Sequence, residues 1–561
     1  MSAAVFHKKG ATDLARGRFT EVLSKKSTRK AEFLFILILV LLSLTLFFFH
    51  LGTRPLWDID EGKHAATSKD MILSGDWITP TLNGETFFDK PILFNWLVAI
   101  SFLVFGFTEF AARFPAAVLG LGCIIITYLL GRKIVGPTVG LLSGAILATT
   151  GEYIILSRAV VHDISLVFFM TLALFFFYLG FKDGRNRKVY FLLFYASTGF
   201  AVLAKGPVGV LLPALIIGLF LILERKLGFI KEMRIGWGIL IFLGISAPWY
   251  LLISLKNRDY AGYFFIQQNL MNFISLSQEV RHPRPVYFYV YILLGGFFPW
   301  SLFLPLAIIR AFREGLKGIS DGTLFLLVWF GVIFLFFSMA SSKLEPYILP
   351  LFPAVSLLVG LLWHDLLKGP TPELQKGFLY SFIPILGILI LGMFYLWMYP
   401  PLRLESQYGI DVFRLSRHAL WIIGGTAVSF YLFLKKNAKA SFSTMVGMVG
   451  SVILFIILVI LPLVNPYRST KGLAQKLDLM VPPGEKLVFY RYLRESALFY
   501  TNRRALLLIV PQQLRDYLAS EKRVFCVIDR RSFERLGRTE KIAYVIDQEG
   551  GKLIISNKKS L

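Results

Sequence analysis

Charged residues are scarce in this 561-residue chain, and their scarcity excludes an ordinary soluble protein. Asp, Glu, Lys and Arg make up only 17% of the sequence, while hydrophobic residues make up 56%. A soluble domain carries about 25% charged residues. Apolar runs of about 20 residues recur along most of the chain, and each is long enough to cross a bilayer core of about 30 Å. The sequence therefore predicts a polytopic α-helical membrane protein.

Cysteine is almost absent, and no cleavable signal peptide is evident. Of the two cysteines, Cys123 lies in an apolar run and Cys526 in the C-terminal part, so no disulfide between them is expected. The first thirty residues are basic and polar. The apolar run that follows, residues 32–52, is too long for the hydrophobic part of a signal peptide. We expect this run to form the first membrane span.

Acidic residues are outnumbered by basic ones, which gives a net charge of +25. Most Lys and Arg residues lie in short loops between apolar runs, which is the positive-inside pattern, and this distribution argues against a nucleic-acid partner. We expect residues 1–31 in the cytoplasm, thirteen spans and an extracytoplasmic C-terminus. Residues 91–107 are expected to lie along the outer surface, because a crossing there would place every later basic loop outside. The predicted spans are 32–52, 112–131, 138–157, 163–181, 190–205, 207–224, 236–254, 288–309, 322–340, 346–364, 377–398, 419–434 and 444–463.

Residues 464–561 have a different composition from the membrane domain, residues 32–463. Short β-prone runs ("KLVFYRYL", "RALLLIV", "RVFCVID" and "IAYVID") alternate with the helical patterns "STKGLAQKLDLM" and "PQQLRDYLAS". This alternation predicts a small α/β domain on the outer side. We find in it no nucleotide-binding glycine fingerprint and no metal-ligand spacing, and we interpret it as a cap over the membrane domain.

Three carboxylates crowd into the stretch "LWDIDEGKH", namely Asp58, Asp60 and Glu61. They lie in the outer loop of residues 53–107, which we expect to carry interfacial helices. One interpretation is a capped surface helix with Asp60 as its N-cap. The other is a base, or a hydrogen-bonding or metal site, at the outer face, because clustered carboxylates repel one another.

Several basic residues break the positive-inside trend at the expected outer corners. Single cations there often anchor a span to lipid headgroups, whereas several on one face favour a site for an anionic headgroup. Asp163 opens a span nearby, either to complement the helix dipole or as a second site carboxylate. The basic residues are Lys90, Arg158, Lys205, Lys343 and the group around Arg281 and Arg284.

The same regions resemble a known family. In order along the chain, the motifs are "DIDEGKHAATSKDMILSGDWITPTLNGETFFDKPILFNWL", "FGFTEFAARFPAAVLG", "SRAVVHDISLVFF", "GFAVLAKGPVGVLLP", "GGFFPWS" and "FFSMASSKLEPYILPLFPA". They are similar to the signature of the aminoarabinose transferases that modify bacterial lipid A, which are relatives of the protein O-mannosyltransferases. The resemblance covers roughly residues 50–355 and implies a GT-C glycosyltransferase fold.

This resemblance also implies a reaction. A sugar, a pentose or a hexose, would pass with inversion from undecaprenyl phosphate to an acceptor at the outer face of the cell inner membrane. The acceptor is left open between lipid A, another glycolipid and a protein. No nucleotide sugar is required. The remaining hypotheses are a transporter or flippase of a lipid-linked sugar and a non-catalytic scaffold; a transporter would favour mid-span ionisable residues and internal repeats.

Roles for individual residues follow from the resemblance. Asp60 would be the base or acceptor-positioning carboxylate, Asp163 the second catalytic carboxylate, and Lys90 the residue facing the carrier phosphate. The other substrate- or phosphate-binding candidates are Lys205, Lys343 and Tyr347, with Arg158 added from its position. The supporting candidates are Asp58, Glu61, Asp89, His64 and His282.

The chain departs from the family pattern at several of these positions. Asp89 stands in place of a Glu, Lys63-His64 in place of Arg-Tyr, and Glu345 in place of a Pro. Some relatives hold a divalent metal with that Glu and a His. Asp89 is therefore the possible metal ligand here, with His64 or His282 as its partner.

Overall fold

The computed structural model describes residues 29–271, 283–313, 318–369, 371–398, 412–537 and 543–559. The helices of its membrane part are α1 (Arg29–Phe48), α2 (Asp60–Ser74), α3 (Leu93–Phe105), α4 (Glu109–Ile134), α5 (Pro137–Ala148), α6 (Gly151–Ser157), α7 (Asp163–Lys182), α8 (Arg187–Lys205), α9 (Val208–Leu223), α10 (Ile235–Lys256), α11 (Phe288–Gly296), α12 (Leu304–Ala311), α13 (Asp321–Met339), α14 (Phe352–Lys368), α15 (Pro372–Met398), α16 (Val412–Leu434), α17 (Ala438–Phe455) and α18 (Leu461–Arg468). Short 3-10 segments span Leu227–Met233, Trp300–Phe303 and Glu345–Leu351, and π-helical segments span Leu44–Phe48, Gly262–Met271 and Ile456–Ile460.

The chain is a multi-pass membrane protein. Among the described residues, eight helices are long and apolar enough to cross a membrane, or up to ten if two bent pairs each count as one span. The bent pairs are α5 with α6, at 71°, and α11 with the segment Trp300–Ala311, at 111°. A helix lies at each of the thirteen predicted positions. Eight of these positions hold the long apolar helices, two hold the bent pairs, and the other three hold α8, α9 and Leu420–Leu434, so the count of thirteen spans stays a prediction.

Helix α3 corresponds to the run predicted to lie along the membrane surface. It has 13 residues, and at about 1.5 Å per residue its length is roughly 20 Å, short of a bilayer core. Gly106, with φ 73°, ends it, and α4 then begins at the Thr108 cap, whose side chain accepts a hydrogen bond from the Ala111 amide.

The outer loop before α3 contains α2 and a short hairpin of β1 (Thr81–Leu82) and β2 (Glu85–Thr86). Asn83 and Gly84 form its turn with φ angles of 57° and 84°. These residue types tolerate the left-handed region that a tight hairpin needs. The hairpin turn faces the C-terminal part of the chain, since the Asn83 side chain donates to and accepts from the Ala505 backbone at 3.0 and 2.7 Å.

The C-terminal part is the α/β structure that the sequence predicts. Its helices are α19 (Lys471–Met480), α20 (Glu495–Thr501), α21 (Pro511–Leu518) and α22 (Arg530–Gly537), and its strands are β3 (Leu487–Tyr490), β4 (Ala505–Leu508), β5 (Phe525–Asp529), β6 (Tyr544–Glu549) and β7 (Lys552–Ser556). The strand order is β4-β3-β5-β7-β6. Strand β3 is parallel to β4 and β5, whereas β7 is antiparallel to β5 and β6.

Helices α7 and α8 form the antiparallel pair that positions two candidate residues. A short connection joins the end of α7 to the start of α8, so the first residue of α7, Asp163, and the last residue of α8, Lys205, lie at the same end. Gly206, with φ 85°, ends α8. A Cβ on Gly209 would come within 2.4 Å of the Ala201 carbonyl carbon, so α9 packs directly on the α8 backbone.

Candidate functional site

The three carboxylates of "LWDIDEGKH" take three different environments. Asp58 accepts hydrogen bonds from the Thr470 hydroxyl at 2.7 Å and the Ser496 amide at 2.9 Å. Asp60 is the first residue of α2; its side chain is 67% exposed, and its nearest cation is Lys63 at 3.4 Å. The structure thus leaves Asp60 as the carboxylate of this cluster that a ligand can reach.

Glu61 is buried in an ion-paired cluster. Its oxygens accept from Arg113 Nε at 2.8 Å and from Arg54 Nη2 at 2.9 Å, and from the Trp57 amide at 3.0 Å. Burial raises the pKa of Glu61, but the positive charges of Arg113 and Arg54 outweigh it and bring the pKa down to about 2. Glu61 therefore joins the outer loop to α4 and has no exposed face for a substrate.

A second group joins three separate elements. Lys205, at the end of α8, forms an ion pair with Asp163, at the start of α7. Its ammonium also lies 4.6 Å from the centre of the Tyr347 ring, in the segment Glu345–Leu351. The sequence proposed these three residues separately, and the fold brings them together.

A row of charges connects Asp60 with this second group. Lys63 Nζ is 3.4 Å from Asp60 and 3.7 Å from Asp89, and Asp89 is 3.8 Å from Lys90 Nζ. The charges of Asp89 and Lys90 also reach Lys205: Lys90 repels its ammonium group and Asp89 attracts it. The predicted residues on the two sides thus form one polar site with an exposed carboxylate at one edge and cations along its length.

Two histidines lie buried beside this row. The rings of His64 and His162 are 4.3 Å apart, and His162 also packs on Phe94. Burial holds the pKa of both rings well below the usual value. The positive charges of Lys63 and Lys90 lower it further. Both imidazoles are therefore neutral near pH 7. In the described part of the chain, neither nitrogen of His162 has a hydrogen-bond partner.

Two predicted phosphate ligands contact the backbone. Arg158 donates to the carbonyls of Leu46, Phe47 and Phe49 at 2.8 to 3.0 Å, at the end of α1. Lys343 is 3% exposed and donates to the carbonyls of Arg284 and Ala340. Burial lowers the pKa of Lys343.

Three backbone carbonyls thus accept hydrogen bonds from the Arg158 guanidinium, and its role as a phosphate ligand stays a prediction. His282, which the sequence proposed as a supporting residue, lies outside the described residues.

The described residues contain no group of three or more His, Cys, Asp and Glu side chains placed to hold a metal ion. Asp89, the proposed ligand, lies between Lys63 and Lys90, and His64 faces His162. These neighbours do not form a metal-binding set among the described residues.

Glu152 was not proposed from the sequence. It lies just after the bend between α5 and α6, and its two carboxylate oxygens find no hydrogen-bond partner in the described ranges. The negative charges of Asp163 and Glu345 act on the Glu152 carboxyl group. The signal was present in "TTGEY", a single carboxylate in an otherwise apolar run, which often marks a functional position in a membrane protein.

The C-terminal part packs directly over α2. The Tyr500 hydroxyl accepts from the Leu56 amide at 2.7 Å, and Lys69 donates to the Phe499 carbonyl at 2.6 Å. A Cβ on Gly62 would lie 2.4 Å from the Ser496 nitrogen, so α2 and α20 approach at backbone distance. The element that carries Asp60 thus packs against α20 of the C-terminal part.

Comparison with known proteins agrees with this architecture. Residues 89–251 match the family model described as dolichyl-phosphate-mannose-protein mannosyltransferase. An uncharacterized protein of Aquifex aeolicus is 30% identical over 72% of this chain and 77% of its own length. The undecaprenyl phosphate-alpha-4-amino-4-deoxy-L-arabinose arabinosyl transferase of Aeromonas hydrophila is 34% identical over 58% of this chain and 59% of its own length.

The fold also matches a solved structure along nearly its whole length. The crystal structure of ArnT from Cupriavidus metallidurans bound to undecaprenyl phosphate superposes with a TM-score of 0.78, at 20% identity, over 94% of this chain and 98% of that one. The archaeal oligosaccharyltransferase AglB from Archaeoglobus fulgidus superposes with a TM-score of 0.51, at 14% identity, over 90% of this chain and 70% of that one. The superpositions show the same fold, and the sequence matches show that the chain belongs to the GT-C membrane glycosyltransferase family of the aminoarabinose transferases and protein mannosyltransferases.

Proposed function

We propose that the chain is a membrane glycosyltransferase that takes a sugar from a polyprenyl phosphate, undecaprenyl phosphate in bacteria, and transfers it with inversion to an acceptor. The named relatives are arabinosyl transferases that use undecaprenyl phosphate, and the chain spans about 59% of the length of the first of them. The observation that carries the proposal is the exposed carboxylate of Asp60 at one end of the charge row Lys63, Asp89, Lys90.

The proposed chemistry needs charge stabilisation at the leaving group. A lipid phosphate is a weak base, so it leaves without a strong general acid if cations lie against its oxygens. Lys90 is the cation proposed for this role. Lys205, fixed between Asp163 and the Tyr347 ring, supplies a second positive charge of defined position. We propose no role for Arg158 in this step, because its guanidinium donates to three backbone carbonyls.

On the acceptor side, Asp60 is the proposed base. A carboxylate within hydrogen-bond reach of an acceptor hydroxyl takes its proton as the new bond forms. An acceptor phosphate is already a nucleophile and needs positioning by the same residues instead. Lys63 holds Asp60 toward Asp89 and Lys90, so acceptor and donor would meet along the row.

We further propose that the site lies on the outer face of the cell inner membrane. In this arrangement residues 1–31 are cytoplasmic and residues 464–561 form an extracytoplasmic domain over the membrane domain, residues 32–463. The basic loops between the apolar helices support this orientation. The acceptor is a lipid A-like molecule, another glycolipid or a protein.

Mass spectrometry of glycolipids and glycoproteins tests this function in cells. Extracts of cells with the gene, without it, and with the Asp60→Asn or Lys90→Ala variant are compared. We expect one glycan modification that requires the gene and is lost in both variants, while the Glu85→Gln control, an exposed residue of the same loop, keeps it. An unchanged set of glycans after gene deletion would reject the proposal.

A further inference from the structure

A large polar pocket lies where the C-terminal sheet meets the end of the last apolar helix. Its volume is about 880 Å³, within the range of roughly 300 to 1,000 Å³ that small-molecule sites occupy. The end of α18, the loop after β3, the start of α22 and the turn between β6 and β7 form its walls. The pocket is separate from the charge row described above.

Positive charge dominates this pocket. Six arginines and one lysine line it, against the two carboxylates of Asp529 and Glu549. Arg494 already pairs with Asp529 at 2.6 Å. Arg531 and Arg535 are exposed, and within the described ranges their side chains form no ion pair or hydrogen bond. Cations at this density repel one another unless an anion lies among them.

Arginine is the residue type that binds phosphate best. Its planar guanidinium offers two parallel N–H donors to one phosphate, and it is less strongly hydrated than an ammonium group. A pocket with several arginines on different elements therefore fits a ligand with more than one phosphate. Tyr467, Tyr492 and Gln548, which also line the pocket, supply the hydroxyl and amide groups that sugar hydroxyls require.

The pocket lies at the level where the membrane part ends. Arg468 is the last residue of α18, which continues the apolar helix α17. Lys552 donates from the pocket wall to the Pro466 carbonyl at 3.0 Å, which ties the sheet to that helix end. A ligand anchored in the outer leaflet by acyl chains could thus place its headgroup in the pocket.

The pocket is also connected to the element that carries Asp60. Arg494 precedes α20, and the Ser496 amide of α20 donates to Asp58, two residues before Asp60. Asp58 in turn acts electrostatically on Lys552. A headgroup in the pocket would therefore lie beside the proposed acceptor side of the site.

We infer that this arginine pocket binds the phosphate groups of an anionic glycolipid headgroup and holds the acceptor for transfer. The inference rests on the proposed function, because it assigns the acceptor to the class of phosphorylated glycolipids. It adds a binding site on the C-terminal domain, formed by Arg468, Arg491, Arg494, Arg531 and Arg535.

Binding to the purified full-length protein in neutral detergent tests the inference. The probes are a glycolipid carrying two phosphates, the same glycolipid after dephosphorylation, and inorganic phosphate. We expect the phosphorylated glycolipid to bind at least about tenfold more tightly than its dephosphorylated form, and the Arg531→Gln/Arg535→Gln variant to lose about tenfold. The control variant Arg515→Gln/Lys522→Gln removes the same charge from exposed positions of the same domain and should change the affinity less than about twofold.

Three outcomes would overturn the inference. Unchanged affinity in the Arg531→Gln/Arg535→Gln variant would show that the pocket does not hold the headgroup. Equal loss in the control variant would show a diffuse charge effect. Displacement of the glycolipid by inorganic phosphate at equal concentration would show a site for free phosphate.

Donor binding separates this inference from the proposed function. All of these variants should bind undecaprenyl phosphate like the wild type, because the pocket is separate from the charge row. A wild-type protein that does not bind undecaprenyl phosphate would defeat the proposed function itself. If the wild type binds undecaprenyl phosphate but binds the phosphorylated and dephosphorylated glycolipids equally well, only the inference about the arginine pocket is wrong.

Discussion

At the residue scale, Tyr347 offers Lys205 an aromatic face, with the ammonium 4.6 Å from the ring centre. Tyr347→Phe keeps that face, so kcat/KM should stay within about threefold of wild type. Tyr347→Leu removes it and should lower kcat/KM by about tenfold, since a cation–π contact contributes about 0.5 to 2 kcal/mol. Sugar-transfer rates of the two purified variants, measured beside the wild type, test this prediction. An equal loss in both would mean that the hydroxyl, not the ring, is the functional part.

Glu61 is the residue whose removal should cost most stability. Glu61→Gln leaves Arg113 buried without its counter-charge, and breaking a buried pair in this way costs about 3 to 5 kcal/mol. Thermal unfolding of the purified protein should show a clearly lower Tm, while Asp60→Asn, at an exposed position, should leave Tm unchanged. Equal Tm values for the two variants would contradict the assignment of Glu61 as structural.

The same pair predicts how stability depends on pH. The folded-state pKa of Glu61, about 2, lies below its value in an unfolded chain, about 4.3. The stability it contributes is therefore complete above the unfolded pKa and is lost as the pH falls toward the folded pKa. The Tm of the wild type should fall between about pH 5 and pH 3, and more steeply than that of Glu61→Gln. Parallel curves would contradict this prediction.

Sequence reasoning treated "LWDIDEGKH" as one site and did not separate the environments of its three carboxylates. Asp58, Asp60 and Glu61 are neighbours in the chain, so their crowding indicated one site. The structure separates them because Arg113 meets Glu61, while Ser496 meets Asp58. Those partners lie 52 and 438 positions away, and no local pattern reveals such contacts.

At the element scale, the contact between α2 and α20 should control the site. A Cβ on Gly62 would meet the α20 backbone at 2.4 Å, so Gly62→Ala must move the two helices apart. We expect a loss of about 1 to 3 kcal/mol of stability and faster protease cleavage of the C-terminal domain. The control Gly218→Ala lies in a helix with open space at that position. Equal protease sensitivity in both variants would show that this contact does not hold the domain.

The elements themselves were largely predictable. The β-prone runs correspond to β3, β4, β5 and β6, and the two helical patterns to α19 and α21. Strand β7 (Lys552–Ser556) was not predicted, although it pairs with both β5 and β6. Its five residues follow directly after the Gly550-Gly551 turn and form a hairpin with β6. Its pairing with β5, which sets its place between β5 and β6, is the long-range contact.

At the scale of the whole molecule, orientation is the prediction that the fold leaves open. Helix positions follow from hydrophobic length, whereas sidedness follows from the basic loops. A reporter that works only outside the cytoplasm, fused after residue 561, should be active, and the same reporter inserted in the loop at residues 182–188 should be inactive. The reverse pattern would place the site on the cytoplasmic face and contradict the proposed orientation.

The separation of donor and acceptor sides also belongs to this scale. The charge row runs from α2 to the residues just before α3, and the arginine pocket lies where the C-terminal sheet meets the end of α18. The family resemblance named Asp60, Asp89 and Lys90 of the charge row, but not Lys63, which lies between Asp60 and Asp89. The arginine pocket needed the structure, because its arginines come from segments after β3, after β5 and at the end of α18.

Single-turnover transfer with purified protein in liposomes tests the central claim most directly. The donor is an undecaprenyl phosphate sugar with a radiolabel in the sugar, and extracted outer-membrane glycolipids serve as acceptor. We expect the label to move to the glycolipid with wild-type protein and with Glu85→Gln, and to stay on the donor with Asp60→Asn. Transfer by Asp60→Asn at the wild-type rate, or movement of intact donor across the bilayer without transfer, would contradict the account.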